Sequence, residues 1–167
     1  MIREHGQSQK YYHETLGHNY RMEGIQGAVL GVKLKHLDKW TDGRRRAASK
    51  YNELLKNVEQ IVLPKEMPSV KHVYHLFVIK VKSNDSDRSK LRNDLQNFLT
   101  AAGIGTGLHY AIPLHEQTCF KNLGYKKGDF PVTEELAETG ISLPMYPELN
   151  DEQIGYVCDK VKEFFKK

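Results

Sequence analysis

Residues 103–117 read GIGTGLHYAIPLHEQ, and the order of elements around this glycine-rich stretch decides which folds remain open. A dinucleotide-binding fold needs a strand before the glycines and a helix after them, so that the helix N-terminus meets the pyrophosphate. The residues before Gly103 have the opposite character. Leu91, Leu95, Phe98 and Leu99 recur at helical spacing, and a glycine directly after them is a helix C-terminal cap. Residues 104–110 are expected to return as a strand, in or beside which Gly105 and Gly107 leave room for close backbone approach. With a helix before and a strand after, the phosphate-loop and Rossmann readings fail.

Working outward, the loop SNDSD offers Asp85 or Ser86 as the N-cap of that helix. Before it, the run HVYHLFVIKV (72–81) alternates as a strand should. Val73, His75, Phe77, Ile79 and Val81 fall on one face, and His72, Tyr74, Leu76 and Val78 on the other. Residues 72–110 therefore read as a β-helix-β unit. Downstream, residues 118–123 and 132–138 are expected as short helices, and 141–146 (ISLPMY) as an extended segment broken by Pro144. Asn150 is the expected cap of a last helix that carries Ile154, Val157, Val161 and Phe164 on one face.

Upstream, Met22, Ile25, Val29, Val32, His36, Trp40, Ala47, Tyr51, Leu54 and Val58 follow steps of three and four, interrupted only by Arg44. They predict a helix from about 22 to 57, roughly 50 Å long at 1.5 Å per residue. A domain of this size cannot cover such a face. Gly24, Gly27 and Gly31 each weaken the helix by about 1 kcal/mol relative to alanine. In exchange they open a notch for another backbone, of this chain or of a second one. Gly43 is the expected place for a bend. The first twenty residues lack periodicity and read as a strip lying against another body.

The expected architecture is α+β: a long N-terminal helix leading into a small C-terminal domain with a small, mostly antiparallel sheet and flanking helices. Residues 1–21 form the strip, 22–57 the connecting helix and 58–167 the small domain. With 39% apolar and 28% charged residues in 167, the composition is that of one globular domain rather than a disordered chain. No apolar run reaches the roughly 18 residues of a membrane span, and the polar N-terminus lacks a signal-peptide core. Two cysteines, Cys119 and Cys158, make no disulfide framework, so a cytoplasmic location is expected. Residues 1–57 carry a net charge of +5 and the remainder −1. The run Arg44–Arg45–Arg46 has no interleaved aromatics to stack on bases. A solvated basic helix face is the simpler reading, and no nucleic-acid partner is expected.

Reaction chemistry is scarce. His72 and His75 lie on opposite faces of a strand and cannot share a metal. His109, His115 and Cys119 are too few ligands, without a cysteine pair, to make a zinc site; no metal is expected. No serine sits in a G-x-S-x-G elbow, and neither cysteine neighbours a base. His109 beside Tyr110 reads either as a polar-aromatic ligand surface or as a structural pair at a strand end.

Taken in order, REHGQ (3–7), GHNYRMEGIQGAVLGVKLKHLDKW (17–40), RRRAASKYNELL (44–55), HVYHLFVIKV (72–81), GIGTGLHYAIPLHEQ (103–117), GDFPVTEELAE (128–138) and SLPMYPEL (142–149) resemble the C-terminal portion of the DegT/DnrJ/StrS family of pyridoxal-phosphate-dependent sugar aminotransferases. The resemblance covers almost the whole chain. It implies the C-terminal part of a fold-type I enzyme that transfers an amino group from a donor such as glutamate to a nucleotide-linked keto-sugar. The products would serve polysaccharide, cell-surface or secondary-metabolite biosynthesis. It implies a homodimer through the N-terminal strip and long helix. Asn19 of the G-x-N-x-R stretch would hydrogen-bond the cofactor phosphate of the partner subunit, with Arg21 beside it for the same anion or the nucleotide-sugar substrate, and His109 and Tyr110 would line the sugar-nucleotide side of the cleft. Ala111 departs from the family's proline in H-Y-P-x-P-x-H. The Schiff-base lysine matches no lysine here and is expected upstream of residue 1, in an enzyme at least about twice as long. The chain alone is therefore expected to be inactive. Two alternatives accompany this reading: a dehydratase relative using the same cofactor, and a stand-alone binding or dimerisation module that has lost the enzyme domain.

Overall fold

The computed structural model describes residues 1–83 and 87–166; the expected cap candidates Asp85 and Ser86 lie outside them. The chain divides into two units, Met1–Asp38 and Lys39–Lys167.

In the first unit, strands β1 (Gln7–Gln9) and β2 (Tyr12–His13) pair antiparallel. Further along the same two arms Glu4 and Asn19 form an antiparallel bridge. The amides of His18 and Tyr20 donate to the carbonyls of Ile2 and Arg3 at 2.8 and 3.0 Å. Such close approach needs glycine: a Cβ on Gly17 would lie 2.1 Å from the Gly6 nitrogen, and Gly6 itself sits at φ +75. Helix α1 (Gly24–Leu34) follows, with the Gln26 side chain accepting from the Glu23 amide at 2.9 Å. It buries none of its residues, and Ile25 is 79% exposed. The notch at Gly24, Gly27 and Gly31 is open, with only Met22 Sδ, at 4.0 Å, near any of the three Cβ positions.

The expected single helix over 22–57 is two helices. Helix α2 (Leu37–Leu55) starts after a turn at Lys35–His36, where the His36 amide donates to the Lys33 carbonyl at 3.0 Å in a tightened last turn. Gly43 does not break the helix, because α2 continues through it. Its function is close approach: a Cβ there would stand 2.7 Å from the Pro147 carbonyl oxygen. The two halves of the apolar stripe also differ. Met22, Ile25, Val29 and Val32 are exposed, whereas Ala47 and Tyr51 lie in the core of the second unit with Leu54 and Val58 packed against it, and Ala48 and Leu55, off the expected stripe, are buried there too.

That second unit is built on a three-stranded antiparallel sheet, β3 (Ile61–Val62), β4 (Phe77–Val81) and β5 (Gly140–Leu143), in the order β3-β4-β5. Phe77, Ile79 and Val81 are buried, as the alternation requires, and pair with Leu143 and Ile141 of β5 and Ile61 of β3. The strand is shorter than its sequence, because residues 72–75 are drawn off onto α2. Glu66 accepts from Arg45 and from the His72 amide at 2.6 and 2.8 Å, and buried Tyr74 turns to φ 48. Arg46 is also engaged internally, by Asp151 and the Leu149 carbonyl.

Helix α3 (Arg88–Ala101) is capped by Asp87, which accepts from the Ser89 amide at 3.1 Å, and ends before Gly103 at φ +76. The return strand expected over 104–110 is a single bridge. Gly107 exchanges both backbone hydrogen bonds with Ser142 on β5, at 3.1 and 2.8 Å, and no neighbouring residue continues the ladder. Helix α4 (Pro131–Thr139) begins with proline, whose missing N–H costs nothing there. Helix α5 (Asp151–Phe165) begins with a reciprocal Asn150–Gln153 cap at 2.8 and 3.1 Å. Ile154, Val157 and Val161 are buried as expected.

Cross-strand register assigns the two faces. Phe77, Ile79, Ile141 and Leu143 share the core face, where Tyr51 stacks on Phe77 at 4.9 Å. Val78, Ser142 and Gly140 share the other, and a Cβ on Gly140 would lie 2.6 Å from the Leu136 carbonyl oxygen of α4. This second face carries the site.

Candidate functional site

The bridge between Gly107 and Ser142 brings the loop after α3 alongside β5, and the next side chains turn back over it. His109 Nδ1 lies 2.9 Å from the Ser142 hydroxyl. The ring packs so tightly over Gly107 that a Cβ there would be 2.7 Å from His109 Cε1. Ser142 is buried, so both its backbone and its hydroxyl are committed to this loop. With Nδ1 engaged, Nε2 is the nitrogen left to meet a ligand. Tyr110 is 75% exposed and meets His109 edge-on, with ring centroids 5.5 Å apart, across a cis peptide bond.

These two residues open a pocket of about 350 Å³, at the small end of ligand sites. Its walls come from two stretches: Ile112, Pro113 and Leu114 of the loop, and Thr133 and Leu136 of α4. The arrangement is an apolar slot with an imidazole and a phenol at the mouth. It can grip a ring through its edges, and it offers an imidazole nitrogen to a ligand's polar group.

Behind the loop, His115 and Glu134 meet at 2.9 Å with side chains only 6% and 10% exposed. The Glu134 carboxylate also accepts from the amides of Gly128, at 2.9 Å, and Phe130, at 3.2 Å. Burial alone raises its pKa, but these N–H groups and His115 outweigh burial and hold it below the ordinary range. His115, Glu116 and Glu134 place potential ligand atoms within 4.8 Å of one another, yet backbone and imidazole N–H groups already fill the Glu134 oxygens. The three residues weighed for zinc do not act together: His109 turns to Ser142, His115 to Glu134, and Cys119 is exposed. Cys158 is buried, which pushes its thiol up to about 12 and removes it as a nucleophile.

Asn19 and Arg21 belong to the first unit. Both are exposed, and Asn19 is pinned through its backbone bridge to Glu4. The structure thus gives two pairs of candidate residues, each on a segment tied down by backbone hydrogen bonds.

The DegT/DnrJ/EryC1/StrS aminotransferase family model matches residues 1–162. This chain belongs to that family. A pleiotropic regulatory protein of Geobacillus stearothermophilus is 44% identical over 99% of the chain and 43% of its own length. The dTDP-3-amino-3,4,6-trideoxy-alpha-D-glucose transaminase of Streptomyces venezuelae is 36% identical over 98% of the chain and 41% of its own length. Among solved structures, S. venezuelae DesV superposes with a TM-score of 0.86 at 35% identity, covering all of this chain and 43% of that one. A family aminotransferase from Brucella abortus gives 0.81 at 30% identity over 99% and 42%. The chain therefore spans less than half the length of the relatives it matches.

Two site residues escaped the sequence reading. Ser142 stands 33 residues from the histidine it holds, and Glu134 stands 19 from its own. A carboxylate in the first turn of a proline-started helix, at GDFPVTEE, was the available signal for Glu134. Ser142→Ala is expected to free the His109 ring at a cost of about 1 kcal/mol, the usual worth of one hydrogen bond. Urea unfolding and the imidazole 15N shifts check it; an unchanged ring spectrum would show that Ser142 does not orient His109.

Proposed function

We propose that this chain forms the C-terminal part of a nucleotide-sugar aminotransferase, with His109 and Tyr110 lining the sugar-nucleotide pocket and Asn19 and Arg21 binding the cofactor phosphate. The observation that carries it is the His109–Ser142–Gly107 arrangement, a ring held rigidly at the mouth of a slot, in a member of an aminotransferase family. The S. venezuelae relative, a dTDP-sugar transaminase, supports the substrate class. Pyridoxal phosphate, when bound, would supply the electron sink for moving the amino group.

The chain's residues fit such a group at its phosphate end. Asn19 offers a neutral N–H donor and Arg21 a forked cationic one, both exposed on a segment whose backbone is fixed. In the pocket, Tyr110 provides a flat face and a hydroxyl for the sugar or its base. His109 presents Nε2 to a substrate hydroxyl or carbonyl, with Ser142 setting its orientation. The apolar walls at Pro113, Leu114 and Leu136 exclude water around the bound ring. The exposed apolar side chains of residues 20–34, which nothing in the first unit covers, support assembly against a second copy in a homodimer.

The test is transfer from glutamate to a dTDP- or UDP-linked keto-hexose by the enzyme that carries this chain, read as 2-oxoglutarate release. Cofactor binding without any transfer would sink the transaminase reading and favour the dehydratase alternative. In the same enzyme, Asn19→Ala is expected to raise the cofactor dissociation constant about tenfold, the worth of one hydrogen bond to a charged group. Unchanged cofactor affinity in that variant would remove Asn19 from the site.

A further inference from the structure

The two walls of the small pocket are supplied by residues 112–114 and 133–136, which approach each other from separate parts of the unit. Within each wall the spacing is set by local structure, a 3-10 turn at Leu114–Glu116 and helix α4. What sets the distance between the walls is the side-chain contact directly behind them. His115, in the middle of that turn, reaches Glu134, in the first turn of α4, at 2.9 Å. The Phe130 ring lies 4.8 Å from His115 and Tyr125 lies 5.1 Å from Phe130, so the imidazole is boxed in.

We propose that Glu134 is a positioning residue: its buried carboxylate ties His115, Gly128 and Phe130 to α4 and thereby fixes the width of the pocket and the pose of His109 and Tyr110. The proposal rests on the functional reading above only for what the pocket holds. The physical case is independent of it. One carboxylate with nearly no solvent access collects the N–H groups of three separate residues. Removing it leaves three donors without an acceptor in a place where water cannot easily replace it. The loop between residues 107 and 117 has just one backbone bridge to the sheet, at Gly107. His115 is its second anchor, and the loop-side lining of the pocket, Gln117 apart, lies between the two.

The neighbouring charges do not substitute for this contact. Glu116 stands 3.8 Å from His115 Nε2, farther than a hydrogen bond, and its side chain is 30% exposed. Lys127 is drawn to Glu138 at 3.1 Å. An amide in place of the carboxylate keeps one accepting oxygen, so Glu134→Gln retains part of the tie, whereas Glu134→Ala retains none.

The experiment uses this chain, 15N-labelled, with UDP-glucose as the probe. Glu134→Ala is expected to move the ligand-free amide resonances of residues 109–117 and of Thr133, to leave those of α5 in place, and to weaken probe binding about tenfold. Glu134→Gln is expected to restore most of both, and Glu116→Ala to leave the resonances of residues 109–113 and probe binding unchanged. His115→Asn is the second variant, since it shortens the donor while sparing the Glu134 contacts to Gly128 and Phe130 that hold the fold. It should move the loop resonances, and His115→Gln should move them less. If His115→Asn leaves residues 109–114 unshifted, or if Glu134→Gln behaves like Glu134→Ala throughout the unit, the positioning role is overturned. Absence of probe binding to the unaltered chain would count against the sugar-nucleotide reading alone, because the ligand-free resonances decide the anchoring separately.

Discussion

Replacing Phe77 with alanine is expected to destabilise the unit of residues 39–167 by about 3–5 kcal/mol, the range for deleting a buried phenyl ring. Phe77 is fully buried, stacks on Tyr51 at 4.9 Å and lies 6.3 Å from the Tyr74 ring. Its neighbours cannot move in to fill the space. Tyr51 is tethered by its hydroxyl to the Pro144 carbonyl at 3.0 Å, and the cross-strand partner Leu143 is held by the β4–β5 ladder. Transfer and cavity terms therefore add. The consequence reaches the site, since the same ladder presents Ser142 to His109. Urea unfolding followed by fluorescence measures it. A loss below about 1 kcal/mol would mean that the core relaxes freely and that the Tyr51–Phe77 stack contributes little.

The second large effect sets two opposing terms against each other. Alanine at position 43 gains about 1 kcal/mol of helix propensity over glycine. Against it, the new methyl would stand 2.7, 3.1 and 3.2 Å from the carbonyl oxygen, Cα and carbonyl carbon of Pro147. These are backbone atoms with no rotamer to change. Two residues on, Leu149 is buried and its carbonyl accepts from Arg46 of the same helix. Overpacking of this kind costs about 1–3 kcal/mol, and rigid backbone neighbours put this case at the upper end, about 2–3, so Gly43→Ala is expected to be a net loss of about 1–2 kcal/mol. Gly31→Ala is the control, because nothing lies within 4 Å of its Cβ position. It should stabilise α1 by up to about 1 kcal/mol. Thermal melts of the two variants moving in the same direction would contradict the close approach of α2 to Pro147.

Features written in short-range spacing were legible in the sequence. The α3 stop at Gly103, the Asn150 cap of α5, the buried alternation Phe77–Ile79–Val81 and the short helix around 132–138 each depend on residues no more than four or five apart. The family, too, was legible, because ordered motifs along one chain need no coordinates. Where the sequence reading went wrong, a distant contact had won over a local preference. The alternation in HVYHLFVIKV extends to residue 72, but the Glu66–Arg45 clamp takes residues 72–75 off the sheet. The helix break is a local exception: the apolar stripe over 22–58, interrupted only at Arg44, runs past Lys35–His36, where a hydrogen-bonded turn separates α1 from α2.

The site divides in the same way. The sequence by itself determined that a glycine-rich helix stop leads into His109 and Tyr110, and that no phosphate loop is formed there, because element order follows from local periodicity and capping. Only the tertiary structure decided that Gly107 is the one residue of its loop that pairs with β5, that Ser142 holds His109, and that Glu134 holds the far end of the same loop through His115. Those contacts join residues 19 to 35 positions apart. Nothing in the spacing of a chain states which donor meets which acceptor across such a distance; the packing of β5 and α4 against the loop does.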